Sequence, residues 1–167
     1  MIRALLLAAL AAGPAAAQDV IFAPAATEAC LAATAPRDRA DCIGLSAGAC
    51  VADTPGGETT VGMGACLYSE LQYWDDRLNA AYGTLRAAHA ATDAEMRSAG
   101  GNPPSMADAL RDMQRAWIPY RDAACAYARS QWGGGTGGGP ASADCLMRLT
   151  GEQALRLERE LEEISRR

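Results

Sequence analysis

The chain has 167 residues, half of them hydrophobic, with 15 basic and 20 acidic side chains and a net charge of −5. That is the length of a single domain. Its acidic balance, with arginine as the only basic residue besides one histidine, argues against nucleic-acid binding, which needs clustered positive charge, and suits a basic protein partner.

The chain opens Met-Ile-Arg, continues apolar through Ala4–Ala12, and then reads Gly-Pro-Ala-Ala-Ala-Gln. One positive charge, a short apolar core and small residues at Ala15 and Ala17 predict a secretory signal peptide over 1–17, cut before Gln18. The apolar run is too short for a permanent membrane span. The alternative is an uncleaved N-terminal anchor. Cleavage leaves 150 residues and, with Arg3 gone, a net charge of −6. Export puts the protein in the periplasm or outside the cell, with no stable membrane anchor.

An oxidising compartment makes the six cysteines, Cys30, Cys42, Cys50, Cys66, Cys125 and Cys145, candidates for three disulfides. None forms a Cys-x-x-Cys pair, which argues against a redox motif, haem attachment or a zinc knuckle. Pairing neighbours in order closes loops rich in Pro and Gly, each bridge contributing roughly 3 kcal/mol. Cys125–Cys145 is the firmest pair, and an exchange among the first four cysteines stays open.

Residues 18–65 are weakly patterned and read as a disulfide-pinned extension packed on a helical core. A short helix is expected from Thr27, as its cap, to Ala33, and a second from Pro36 to Ala47. The Asp53-Thr-Pro-Gly-Gly stretch and Gly62-Met-Gly64 mark a loop. From Cys66 the pattern sharpens into a helical domain over 66–167. Leu67, Leu71, Trp74, Leu78, Ala81 and Leu85 recur at helical spacing, which leaves Glu70, Asp75, Asp76, Arg77 and Arg86 outside the stripe. This helix should fade after His89 and stop by Gly100-Gly-Asn-Pro-Pro104.

Ser105 caps the next helix, whose stripe runs Met106, Leu110, Met113, Trp117, Tyr120, Ala124 and Tyr127, with Pro119 expected to kink it. Six glycines in the seven positions 133–139 predict an irregular loop. A final helix starts near Ser142 or Ala143, with Leu146, Leu149, Ala154, Leu157, Leu161 and Ile164 on its apolar face and Glu160, Glu162 and Glu163 beside Arg156, Arg159 and Arg166. With no alternating β-branched run, the fold class is all-α: about three long amphipathic helices in a small bundle, with a disulfide-stapled N-terminal extension.

Catalytic constellations are missing. His89 is the only histidine, no Gly-x-Ser-x-Gly accompanies it, and full pairing leaves no thiolate. Asp75-Asp76 and Glu162-Glu163 are adjacent, so each pair points in different directions around a helix, without the apolar enclosure that separates two carboxylate pKa values. The glycine tract lacks the Gly-Lys-Ser/Thr of a phosphate loop. The expectation is a binding protein and not an enzyme, with no metal and no cofactor.

The most specific stretch is Gln114-Arg-Ala-Trp117-Ile-Pro-Tyr120-Arg121-Asp122-Ala-Ala-Cys125. Upstream lies Leu78-Asn79-x-x-Tyr82-x-x-Leu85; downstream come the glycine segment and Cys145-Leu-x-x-Leu-Thr150. From about Cys66 to Ile164 this succession resembles the LprI-like lysozyme-inhibitor family of small exported bacterial proteins. The resemblance implies an all-helical envelope protein and, for its founding members, inhibition of lysozyme. The chain departs from the family pattern at Gln153, where an arginine is usual, which puts one inter-helix polar contact in question. Trp117 and Tyr120 read first as core residues. Arg121 or Asp122 would clamp the kinked helix to the Asn79/Tyr82 face.

Two functions follow. One is occlusion of the glycan cleft of a basic lysozyme by a protruding flexible loop carrying Trp132 and Thr136, with Arg129 facing the catalytic carboxylates. The other is a non-inhibitory adaptor that binds another envelope protein or cell-wall glycan through its helix faces.

Overall fold

A computed structural model describes residues 19–166; the expected signal peptide lies outside them. Among the described residues there are five α-helices and one 3₁₀ segment, and no strand: α1 Ala25–Ala33, the 3₁₀ segment Pro36–Cys42, α2 Leu45–Asp53, α3 Thr60–Ser98, α4 Met106–Ser130 and α5 Gly138–Ser165. The fold is all-α, as the sequence predicts, with the three long helices α3, α4 and α5 forming the bundle. No described helix is long and apolar enough to cross a membrane.

The spine is α3, whose 39 residues span about 58 Å at 1.5 Å per residue. It starts earlier than the apolar stripe does. Thr59 caps it by accepting from the Gly62 N–H at 3.1 Å, so Gly62 and Gly64 are helical and not loop. Gly62 lies against the backbone of Gly56 and Gly57, where a Cβ would collide; a packing requirement overrides glycine's weak helix propensity. The helix also runs past His89 to Ser98, where Gly100 at φ +85 ends it. Pro103 and Pro104 then turn the chain, and α4 runs back antiparallel to α3.

Ser105 caps α4 as expected, accepting from the Asp108 N–H at 3.1 Å. Pro119 lies inside α4, which continues through it. The buried positions here are Leu110, Gln114 and Cys125, while Tyr120 and Tyr127 are 62% and 67% exposed, so the expected stripe drifts off the core after Trp117. The following helix, α5, packs chiefly on α3 and next on α4. Its inward positions are Met147, Thr150, Gly151, Gln153, Ala154, Leu155 and Leu157, and Ile164 is exposed. Of the expected surface pairs, Arg156–Glu160 and Arg166–Glu162 form.

The N-terminal segment is more regular than a pinned loop. The helix expected over Pro36–Ala47 is two elements, broken at Gly44 (φ +99). Thr27 is not the cap of α1 but a buried residue within it. Leu31, Cys42, Ile43 and Ala47 join Trp74, Leu78, Leu85, Leu110, Met147 and Leu157 in one apolar core. The bridges are Cys30–Cys42, Cys50–Cys66 and Cys125–Cys145, the neighbour-by-neighbour pairing expected from the sequence.

Candidate partner-binding groove

The glycine tract, expected as an irregular loop, is non-helical over 131–137, where it forms a tight turn, and α5 begins inside it at Gly138, ahead of the expected start near Ser142. Its hydrogen bonds are internal: Trp132 N–H to Arg129 O at 3.2 Å, Gly133 N–H to Ser130 O at 3.1 Å, Gly135 N–H to Trp132 O at 2.8 Å and Gly138 N–H to Gly135 O at 3.1 Å. Gly133 and Gly134 take positive φ, which a side chain would strain. Gly137 serves another purpose: the Trp132 ring occupies the place its Cβ would take. Order comes from this stacking and from Cys125–Cys145, which ties the flanking helices together.

Beside the turn lies an apolar groove of about 600 Å³, a usual size for a ligand or anchor pocket. One wall is α2, with Ala47, Gly48 and Val51; the second is the start of α3, with Thr60, Met63 and Leu67; the third is Trp132, Thr136 and the first turns of α5. Met147 and Ala47 are buried, whereas Trp132 is 54% exposed. Cys50–Cys66 holds the first two walls together. The charged groups of the lining are Asp144 and Arg148, which pair at 3.0 Å.

Of the nominated loop residues, Trp132 and Thr136 line this groove together. Arg129 does not; it borders a separate shallow hollow with Ser130, Gly134 and Gly138. The α2 wall, Met63 and Arg148 were missed by sequence reasoning. The available signal was Ala47 and Val51 four residues apart on a short helix, which the expectation of a helix ending at Ala47 obscured.

The motif residues on α4 serve packing. The Arg121 guanidinium lies 5.1 Å from the Trp117 ring centroid, donates to Asp122 at 2.9 Å and reaches the Thr150 hydroxyl at 3.5 Å. The expected clamp to Asn79 and Tyr82 does not form: Asn79 donates to Asp75 on its own helix at 2.9 Å. Arg121 reaches α5 because α4 turns that face toward Thr150 and not toward α3. Gln153, the departure from the family pattern, keeps an inter-helix contact by donating to Gln114 Oε1 at 2.5 Å.

Two buried acids are also accounted for. Glu70, expected outside the stripe, is completely buried and accepts from the Thr27 hydroxyl (3.0 Å), Gly44 N–H (2.8 Å), Ala47 N–H (2.6 Å) and the Trp74 indole (3.0 Å). It thus caps α2 from a distant helix. Asp93 does the same for α4, accepting from the Ser105 hydroxyl at 2.7 Å and the Met106 and Ala107 N–H groups at 3.0 and 3.1 Å. The Ser105 hydroxyl first, then these backbone donors, hold its carboxyl below the ordinary value. His89 hydrogen-bonds no serine or carboxylate among the described residues, and no described cluster of His, Cys, Asp or Glu is placed to hold a metal ion.

Residues 50–157 match the family model described as lysozyme inhibitor LprI. The chain is 31% identical over 100 residues to an uncharacterized protein of Rhizobium meliloti (strain 1021), covering 60% of this chain and 72% of that one. It is 29% identical over 131 residues to an uncharacterized 17.7 kDa protein in the puhA 5′ region of Rhodobacter capsulatus, covering 77% and 80%. No solved structure matches it.

Proposed function

We propose, from the premise that this chain belongs to the family of the lysozyme inhibitor LprI, that it is an exported protein which blocks the glycan cleft of a basic lysozyme and transforms nothing itself. The observation that carries this reading is the placement of Trp132. It is more than half exposed, yet it is seated on Gly137 in an internally bonded turn. A fixed aromatic group loses little entropy on docking, which favours it as an anchor. Thr136 stands on the same turn and Arg129 at its base. The disulfides fit an oxidising compartment, and the mature charge of −6 would steer the protein toward a cationic enzyme.

The test is inhibition of a c-type lysozyme by purified oxidised protein at rising salt. Inhibition should appear in the micromolar range and weaken with salt, and Trp132→Ala should weaken it by about tenfold or more. Absence of inhibition at micromolar concentration refutes the reading for that enzyme class. The second reading is a non-inhibitory envelope adaptor, favoured by the exposed Tyr120 and Tyr127. Their spacing of seven places them on one face of α4. A stable periplasmic partner unrelated to lysozyme, lost on Tyr120→Ala/Tyr127→Ala, supports it.

A further inference from the structure

The groove has a chemistry of its own, separable from any contact with lysozyme. Its walls are formed mainly by the side chains of Ala47, Val51, Met63, Leu67, Pro140 and Met147. Such walls offer a sugar almost no hydrogen-bond partners, and an apolar chain displaces water from them favourably. Met63, exposed in the lining, suits a flexible occupant.

The charge of the lining is confined to the Asp144–Arg148 pair. Arg148 uses its Nε to hold Asp144 at 3.0–3.1 Å, and its two terminal guanidinium nitrogens have no hydrogen-bond partner among the described residues. One of them, Nη2, lies close to Gly44 at the start of α2, whose N–H groups are already taken by Glu70, so the guanidinium is the cation left for a ligand at this end. Asp144 orients the guanidinium through the nitrogen that an anionic ligand would not need. The remaining Nη edge matches the fork geometry of a carboxylate.

We infer that the groove binds a single-chain fatty acid, with its alkyl chain between α2, α3 and α5 and its carboxylate on Arg148. The inference does not rest on lysozyme inhibition, since ligand and enzyme are assayed separately. Gly48 is the handle for testing it. This residue lines the groove, and a Cβ built there meets nothing within 4 Å. A side chain can therefore start from Gly48 without meeting its neighbours, and exchanging glycine for leucine within a helix favours the helix.

The experiment is calorimetric titration of the full oxidised protein with dodecanoate below its micelle concentration. Dodecanol and dodecyltrimethylammonium serve as head-group controls, and emission reports on Trp132, the one tryptophan in the groove lining. Saturable one-to-one binding of dodecanoate is expected, with an emission change lost in Trp132→Phe. Arg148→Gln should weaken dodecanoate by about tenfold but leave dodecanol unchanged. Gly48→Leu should abolish both while thermal stability does not fall. The inference is overturned if dodecanoate does not saturate, if the cationic amphiphile binds as tightly, or if Gly48→Leu binds like the wild type. It is equally overturned if Gly48→Leu alters lysozyme inhibition alone, since the groove would then be a protein-docking site.

Discussion

Replacing Glu70 by glutamine changes almost no volume and should still cost the fold heavily. The carboxylate sits at the junction of three helices. Its Oε1 accepts from Thr27, Gly44 and Trp74, and its Oε2 accepts from Ala47 at 2.6 Å. Glutamine can keep its oxygen at the first position only by turning its amide NH₂ toward the Ala47 N–H, so that donor faces donor. The lost charge-assisted bond is worth about 1.5–3 kcal/mol, and the orphaned buried N–H adds about 1–3 kcal/mol. A loss near 3 kcal/mol lowers the melting temperature by roughly 6–12 °C in a domain of this size. Flipping the amide would orphan three donors in place of one and cost more. Urea unfolding of the oxidised protein, with a free-thiol count to show that the bridges are intact, measures the effect. A loss below about 1 kcal/mol would show that α2 does not depend on this cap.

Three further perturbations have definite signs. Asp93 has a folded pKa below its ordinary 3.8, so its contribution is present above that value and lost as pH falls through the folded one. Asp93→Asn should flatten this acid limb of stability, read from urea midpoints across the acid range. Arg77 makes a two-bond contact with Glu158 at 2.8 Å, donates to Tyr73 at 2.8 Å and stacks on Tyr73 and Trp74. Arg77→Met should cost about 2 kcal/mol in urea unfolding, and Arg77→Lys less. Converting Cys125 and Cys145 together to serine opens a bridge of sequence separation 20. It should cost about 3 kcal/mol and loosen the turn, shown by faster amide exchange at 133–138.

The long helices were legible because their apolar residues recur at helical spacing over many turns, as along Leu71–Leu85. What escaped was set by tertiary contact. Glu70 reads as a surface acid because nothing local shows that Gly44 and Ala47 will bring their N–H groups to it. Gly62 and Gly138 read as loop because glycine's propensity is poor, and only the close backbone and Trp132 packing around them reverses that. Tyr120 and Tyr127 read as core because a strict alternation of three and four was extended through Pro119, past the point where α4 leaves the core. The groove drew walls from three elements, one of them assigned to the wrong class, so its turn was visible in the sequence and its cavity was not.

The placement of the buried acids bears on what kind of protein this is. A buried carboxylate is ordinarily a suspect for proton transfer, because burial and neighbours set its pKa. Here the two buried acids lie on one helix, 23 residues apart, and each is engaged at the start of another helix: Glu70 by the Gly44 and Ala47 N–H groups, with Thr27 and Trp74 as further donors, and Asp93 by Ser105, Met106 and Ala107. Neither has an appreciable face toward solvent or toward the groove. Their hydrogen bonds fix where α2 and α4 begin and, through α2, where one wall of the groove stands. The chemistry left at the groove is aromatic and apolar with one ion pair, at Trp132, Met63 and Asp144–Arg148. Such groups select a partner by shape and head-group charge, which supports the reading of a recognition protein. If Glu70→Gln or Asp93→Asn altered binding while leaving stability untouched, this division between scaffold and surface would be wrong.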